Sequence, residues 1–170
     1  MKFKSITLIG LALCCALSCK KNSNTDPEVI TDPLVTVQTN LNNEVLLKLV
    51  NDTRAAGCNC GTTVMPPVPT LVWNNQLAAA AVGHSKYMAS VNTMTHNSAD
   101  GKTFGDRITA AGYVWSTAGE NVAQGQTTEA QVFNDWIKSE GHCKNIMNAK
   151  FKEMGAGRQG NFWTQDFAAK

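Results

Sequence analysis

The chain has 170 residues, of which 43% are hydrophobic and 16% charged, a composition that suits a folded protein with a single core. Its 15 basic and 13 acidic residues give a formal charge of +2, and that excess lies in Lys2 and Lys4 at the extreme N-terminus. No basic stripe with interleaved aromatics is present, so the electrostatic footprint of a nucleic-acid-binding protein is missing.

The first eighteen residues, MKFKSITLIGLALCCALS, place two lysines ahead of an apolar run from Ile6 to Leu17. This is the pattern of an export signal, and the run falls short of the ~20 apolar residues of a comfortable membrane span. Ala16-Leu17-Ser18-Cys19 resembles a bacterial lipoprotein box, which makes Cys19 the expected lipidated first residue and a membrane surface the expected partner. Residues 19–36 carry two Asp-Pro pairs and little periodicity, as a flexible tether does. A single domain over 37–170 follows.

Cys14, Cys15 and Cys19 belong to the leader, leaving Cys58, Cys60 and Cys143 in the domain. Two of these three are expected to pair in an oxidising exported setting. A Cys-X-Cys loop closes poorly on itself, so the expected bridge joins Cys143 to Cys58 or to Cys60, and the third thiol has no assigned role.

Along the domain, LNNEVLLKLVNDTR places Leu41, Val45, Leu49 and Val50 at helical spacing, with Asn40 or Asn42 as cap and an end near Gly57. GCNCGTTVMPPVPTLVW, with three prolines, is expected to be an ordered loop in which only Leu71, Val72 and Trp73 pack. A second helix follows, with Leu77, Ala81, His84 and Met88 on its apolar face and Asn74 or Asn75 as cap. His84 therefore reads as a hydrogen-bonded core residue. The long polar stretch after it predicts one short helical turn over 106–111 and otherwise irregular chain, the kind of segment that carries function. Thr127 or Thr128 caps a third helix whose face is Val132, Phe133, Trp136 and Ile137, and which stops where Ser139-Glu140-Gly141-His142 begins. Alternation through Met154, Ala156 and Arg158, then from Phe162 to Phe167 beyond Gln159-Gly160-Asn161, predicts a hairpin. Helices precede strands, which gives an α+β class. The four tryptophans, Trp73, Trp115, Trp136 and Trp163, are expected to pack in the core or at its rim.

Two histidines, His96 and His142, lie in polar contexts, and between them Glu120 stands in a Gly-flanked turn. Two imidazoles and a carboxylate form a plausible ligand set for Zn²⁺ or another divalent cation. A cysteine nucleophile at Cys143 is disfavoured because its neighbour His142 points away. A serine nucleophile lacks any Gly-X-Ser-X-Gly elbow.

These pieces together resemble the CAP superfamily of cysteine-rich secretory, antigen-five and pathogenesis-related proteins, in its bacterial branch. The resemblance runs from Leu41 to Phe167, through LVWNNQLAAAAVGHSKYMA, MTHNSADGKTFGDRITAAGY, GENVAQG, GHCKNIMN, FKEMGAGR and FWTQDF in order. It implies a three-layer α-β-α sandwich with a small, mostly antiparallel sheet. It also implies a polar cleft holding His96, Glu120 and His142. Where members of the family carry a second cleft glutamate this chain has Ser139, and the adjacent Glu140 is turned by ~100° if helical and is no substitute. The implied function is an extracytoplasmic, non-enzymatic module binding a divalent metal and a lipid-like, sterol-like or extracellular protein ligand. A metal-assisted hydrolase with Glu120 as base, or a purely structural envelope protein, is the alternative.

Overall fold

The computed structural model describes residues 37–170. The expected leader, tether and lipidated Cys19 lie outside the described residues.

Helix α1 (Asn43–Ala56) starts where the Asn42 side chain accepts the Val45 amide, and ends at Gly57, whose φ of 75° suits glycine. Its buried face is Leu46, Val50 and Arg54, while Val45 is 43% exposed. The expected face was rotated because this leucine-rich segment offers two overlapping apolar stripes, and the one that wins ends in an arginine. Buried Arg54 donates to the carbonyls of Pro69, Ile146, Asn148 and Phe151. Burial lowers its guanidinium to about 10.

The Pro-rich segment contains more regular structure than expected. Strands β1 (Cys58–Cys60) and β2 (Thr63–Met65) form an antiparallel hairpin, and β3 (Val72–Trp73) joins the main sheet. Helix α2 (Asn75–Val91) is capped by Asn74, which accepts the Gln76 and Leu77 amides, and stops at Asn92 in the left-handed region. Helix α3 (Phe104–Ala110) has a complete capping box between Thr103 and Asp106.

Residues expected to be irregular then form an eight-residue strand, β4 (Thr117–Gln124). Helix α4 (Glu129–Lys138), capped by Thr128, is followed directly by α5 (Glu140–Ile146), with Ser139 between them. The stop expected at Ser139 is thus a change of helix direction, and His142 and Cys143 lie on a helix. Strands β5 (Glu153–Gln159) and β6 (Phe162–Ala169) make the expected hairpin.

The main sheet has the order β3-β5-β6-β4, with β3 parallel to β5 and the remaining pairs antiparallel. Every residue of β6 is buried, because helices cover both faces of the sheet. On one face Trp163 and Phe167 meet Leu46, Val50, Val132, Trp136 and Ile146 of α1, α4 and α5. On the other, Ala168 meets Leu77 and Ile108 of α2 and α3, and Phe162 meets Met88. Trp136 and Trp163 are fully buried in this arrangement, whereas Trp115 is 38% exposed. The result is an α+β sandwich on a mixed sheet.

Candidate functional site

Strand β4 runs along the edge of the sheet, paired only to β6. Residues opposite one another in an antiparallel pair share a face, so Glu120 opposite Asp166, with Gly155 opposite Asp166 on the far side, belongs to the α2 face. Asn121, opposite Gln165, belongs to the α5 face. The Glu120-Asn121 dipeptide therefore serves both layers. The Asn121 amide donates to the His142 carbonyl at 3.2 Å, and Asn145 donates to Asn121 Oδ1 at 2.9 Å and to the Glu120 carbonyl at 3.1 Å. These bonds fix α5, and with it His142, against the edge strand.

The Glu120 side chain has no solvent exposure, and each of its oxygens has a partner. Arg107 Nη2 donates to Oε2 at 2.6 Å, and His96 Nδ1 lies 2.8 Å from Oε1. A carboxylate is an acceptor, so Nδ1 carries the proton and Nε2 is left for another partner. The hydrogen bond to Glu120 raises His96 above the ordinary histidine range, although its partial burial opposes this. Arg107 also donates to the His96 carbonyl at 3.0 Å and to the Lys102 carbonyl at 3.1 Å, which shapes the loop that presents His96.

His84 is fully buried on α2, as a core histidine would be. Its Nε2 donates to the Thr95 carbonyl at 2.6 Å and stands 4.0 Å from Glu120 Oε2, so it anchors the residue just before His96. Burial pushes its pKa down, and its Nδ1 has no partner among the described residues. Asp166, completely buried, likewise has neither oxygen hydrogen-bonded among the described residues. Burial, with the Glu120 charge adding to it and the Arg107 charge opposing it, raises its carboxyl well above the usual range, which favours the protonated form.

His142 approaches from the other layer. With Ser139, Trp136, Val122 and Met94 it lines a cavity of about 220 Å³ that wraps the β4 edge. His96 and Glu120 do not line this cavity. Burial lowers the His142 pKa, and the nearby His96 lowers it further. Glu140, next to Ser139, is half-exposed and pairs with Lys144 at 2.6 Å, away from the site.

His96, Glu120 and His142 thus gather around one strand edge but do not form a closed set of three ligands. Among the described residues, the one group of three potential ligands whose donor atoms all lie within 4.8 Å of one another is Cys58, Cys60 and Cys143. There Cys60 and Cys143 form a disulfide across a sequence separation of 83, and Cys58 is free.

Arg107 and Asp166 were missed from the sequence. Each had a signal: a lone arginine inside the small-residue run Asp106-Arg107-Ile108-Thr109-Ala110, and an aspartate at an inward-alternating position of a hairpin strand.

Helices on both faces of a mixed sheet, with a histidine–carboxylate cluster at its edge strand, define an α+β sandwich with a polar edge site. The model of the cysteine-rich secretory protein family, CAP, matches residues 47–167, and the chain belongs to that family. An uncharacterized protein of Bacillus subtilis, YkwD, is 39% identical over 99 residues, which cover 55% of this chain and 37% of that protein. An extracellular SCP-domain protein from Bacillus anthracis superposes with a TM-score of 0.68 at 33% identity, over 75% of this chain and 40% of that one. NaASP2, crystallised with Zn²⁺, shares the fold at a TM-score of 0.51 and 11% identity, over 73% and 77% of the two chains. This chain spans well under half the length of the two Bacillus relatives.

Proposed function

We propose that the protein is an exported, lipid-anchored binding module whose cleft holds a divalent cation such as Zn²⁺ on His96 Nε2 and His142. One observation carries this reading. The His96 Nδ1 to Glu120 contact of 2.8 Å fixes the ring so that Nε2 faces outward, as carboxylates behind metal-binding histidines do. Arg107 in turn pins the carboxylate. No described residue hydrogen-bonds to the His142 ring, which leaves it free to serve as the second ligand, with water completing the coordination.

Glu120 is poorly placed as a general base. Both oxygens are engaged and its side chain is shielded from solvent, whereas a base must reach the proton it removes. This favours binding over metal-assisted hydrolysis. The cavity beside His142, lined by Met94, Val122, Ala123 and Trp136 among others, would accept an apolar part of a lipid-like or extracellular ligand. Export rests on the leader sequence and on the extracellular SCP-domain relative, and the anchor at Cys19 on the leader sequence alone.

The test is a calorimetric Zn²⁺ titration of the chain beside its His96→Ala and His142→Ala variants. One ion per chain, lost in both variants, is expected, with Glu120→Gln weakening affinity by about 10–100-fold. Absence of binding to the folded chain, or binding indifferent to both histidines, would overturn the reading.

A further inference from the structure

Strand β1 is Cys58-Asn59-Cys60. Side chains two apart on a strand share a face, so both sulfurs turn toward Cys143 on α5. Cys60 forms the disulfide with Cys143, and the Cys58 sulfur lies 3.7 Å from the Cys143 sulfur, close to van der Waals contact. All three sulfurs fall within 4.8 Å of one another. Cys60 and Cys143 are fully buried, while Cys58 is partly open to solvent.

We infer that Cys58, Cys60 and Cys143 constitute an intramolecular thiol–disulfide exchange site in which Cys58 displaces Cys60 from Cys143. After its side chain rotates into line with the Cys60–Cys143 bond, the Cys58 thiolate forms a bond to the Cys143 sulfur as the Cys143–Cys60 bond breaks. The electron pair of the broken bond leaves on Cys60, which takes up a proton to replace the one Cys58 released. One disulfide and one thiol are present before and after, so no oxidant or reductant is consumed.

Loop entropy does not choose between the two bridges. They enclose segments of nearly equal length, with separations of 83 and 85 residues, and the chain-entropy contribution varies only with the logarithm of that length. Which bridge dominates is therefore set by local packing, and Cys60, the more buried partner, is favoured in the structure. Burial also pushes the Cys58 thiol up, so the thiolate is scarce at neutral pH and exchange quickens as the solution is made alkaline. Because Cys143 adjoins His142, the exchange moves the tether of the cleft helix from one end of β1 to the other.

The test uses the full oxidised chain, held for hours in mildly alkaline buffer without reductant, then acid-quenched and alkylated. Fragmentation sequencing distinguishes label on Cys58 from label on Cys60, and the leader cysteines fall on a separate tryptic peptide. The expected result is label on both residues, with a Cys58–Cys143 bridge recovered in the fraction labelled at Cys60, at a rate independent of protein concentration. A Cys60→Ser variant should form the Cys58–Cys143 bridge outright. Label confined to Cys58 at every time, or appearance of the second bridge only in proportion to protein concentration, would overturn the inference. The wild-type measurement decides the matter even if the variant does not fold.

Discussion

The Glu120 carboxylate faces two donors, one per oxygen, and one of them is a histidine that is 54% exposed. In the metal-free chain, His96 then titrates above the ordinary histidine value of about 6.5. A histidine raised in the folded state contributes stability below that unfolded value and loses it as pH rises through the folded one. At half exposure the contribution is small, so the titration itself is the better readout. Glu120→Gln removes the charge but keeps an acceptor, and should lower the His96 pKa toward its ordinary value in an NMR titration. An unmoved His96 would mean that the contact does not govern its protonation. Asp166 offers the opposite case. Its buried carboxyl has no partner among the described residues and its pKa is raised on folding, so it costs stability increasingly as pH rises above the unfolded value of about 4. Asp166→Val should therefore stabilise the domain at neutral pH by roughly 1–3 kcal/mol. In urea unfolding the gain should shrink in acid. A loss instead would reveal a polar partner for Asp166.

Helix α2 lies so close to β5 that side chains at two strand positions are forbidden. A Cβ on Gly155 would come within 2.1 Å of the Ala78 amide nitrogen, and one on Gly157 within 2.4 Å of the Val82 nitrogen. Backbone cannot yield as a side-chain tip does, so Gly155→Ala must push α2 outward, along with His84 and the loop it anchors. A loss of about 3 kcal/mol is expected in urea unfolding. Gly83 is the control: it lies on the exposed side of the same helix with nothing near its missing Cβ, and Gly83→Ala should stabilise by ~0.5–1 kcal/mol through helix propensity. The same packing explains what the sequence could reveal. Helices α1, α2 and α4 announced themselves because their caps and 3.6-residue apolar spacing are local signals. Strand β4, Thr-Ala-Gly-Glu-Asn-Val-Ala-Gln, did not, because its small and polar residues bury through contacts distant in sequence. Helix α5 was hidden by Gly141 and by two polar residues that face the site. His96, Glu120 and His142 stood out by their polar contexts and then by the family's motif order; that Arg107 and His84 orient them depends on tertiary contacts, which the lone arginine and the apolar-face histidine in the sequence do not specify.

The molecule as a whole is tied across its layers by α5, which, besides the Asn121 and Asn145 bonds to the edge strand, is held at two further points. Near its middle, Cys143 is crosslinked to the β1–β2 hairpin. At its C-terminal end, Arg54 of α1 donates to the Ile146 and Asn148 carbonyls. The two restraints differ in kind: the arginine neutralises orphan carbonyls of the folded state, whereas the bridge acts mainly by restricting the unfolded chain across 83 residues. Cys143→Ser removes the sulfur common to both possible bridges and should cost roughly 3–5 kcal/mol. Domains of this size are stable by about 5–15 kcal/mol, so the variant should still fold, with Arg54 and the Asn121 and Asn145 bonds keeping α5 in place. Its melting midpoint should fall by about 10–20 °C. Cys58→Ser leaves the Cys60–Cys143 bridge intact and should change the midpoint little. Equal, small shifts in both variants would show that packing alone holds α5, and that the bridge contributes nothing to the position of His142.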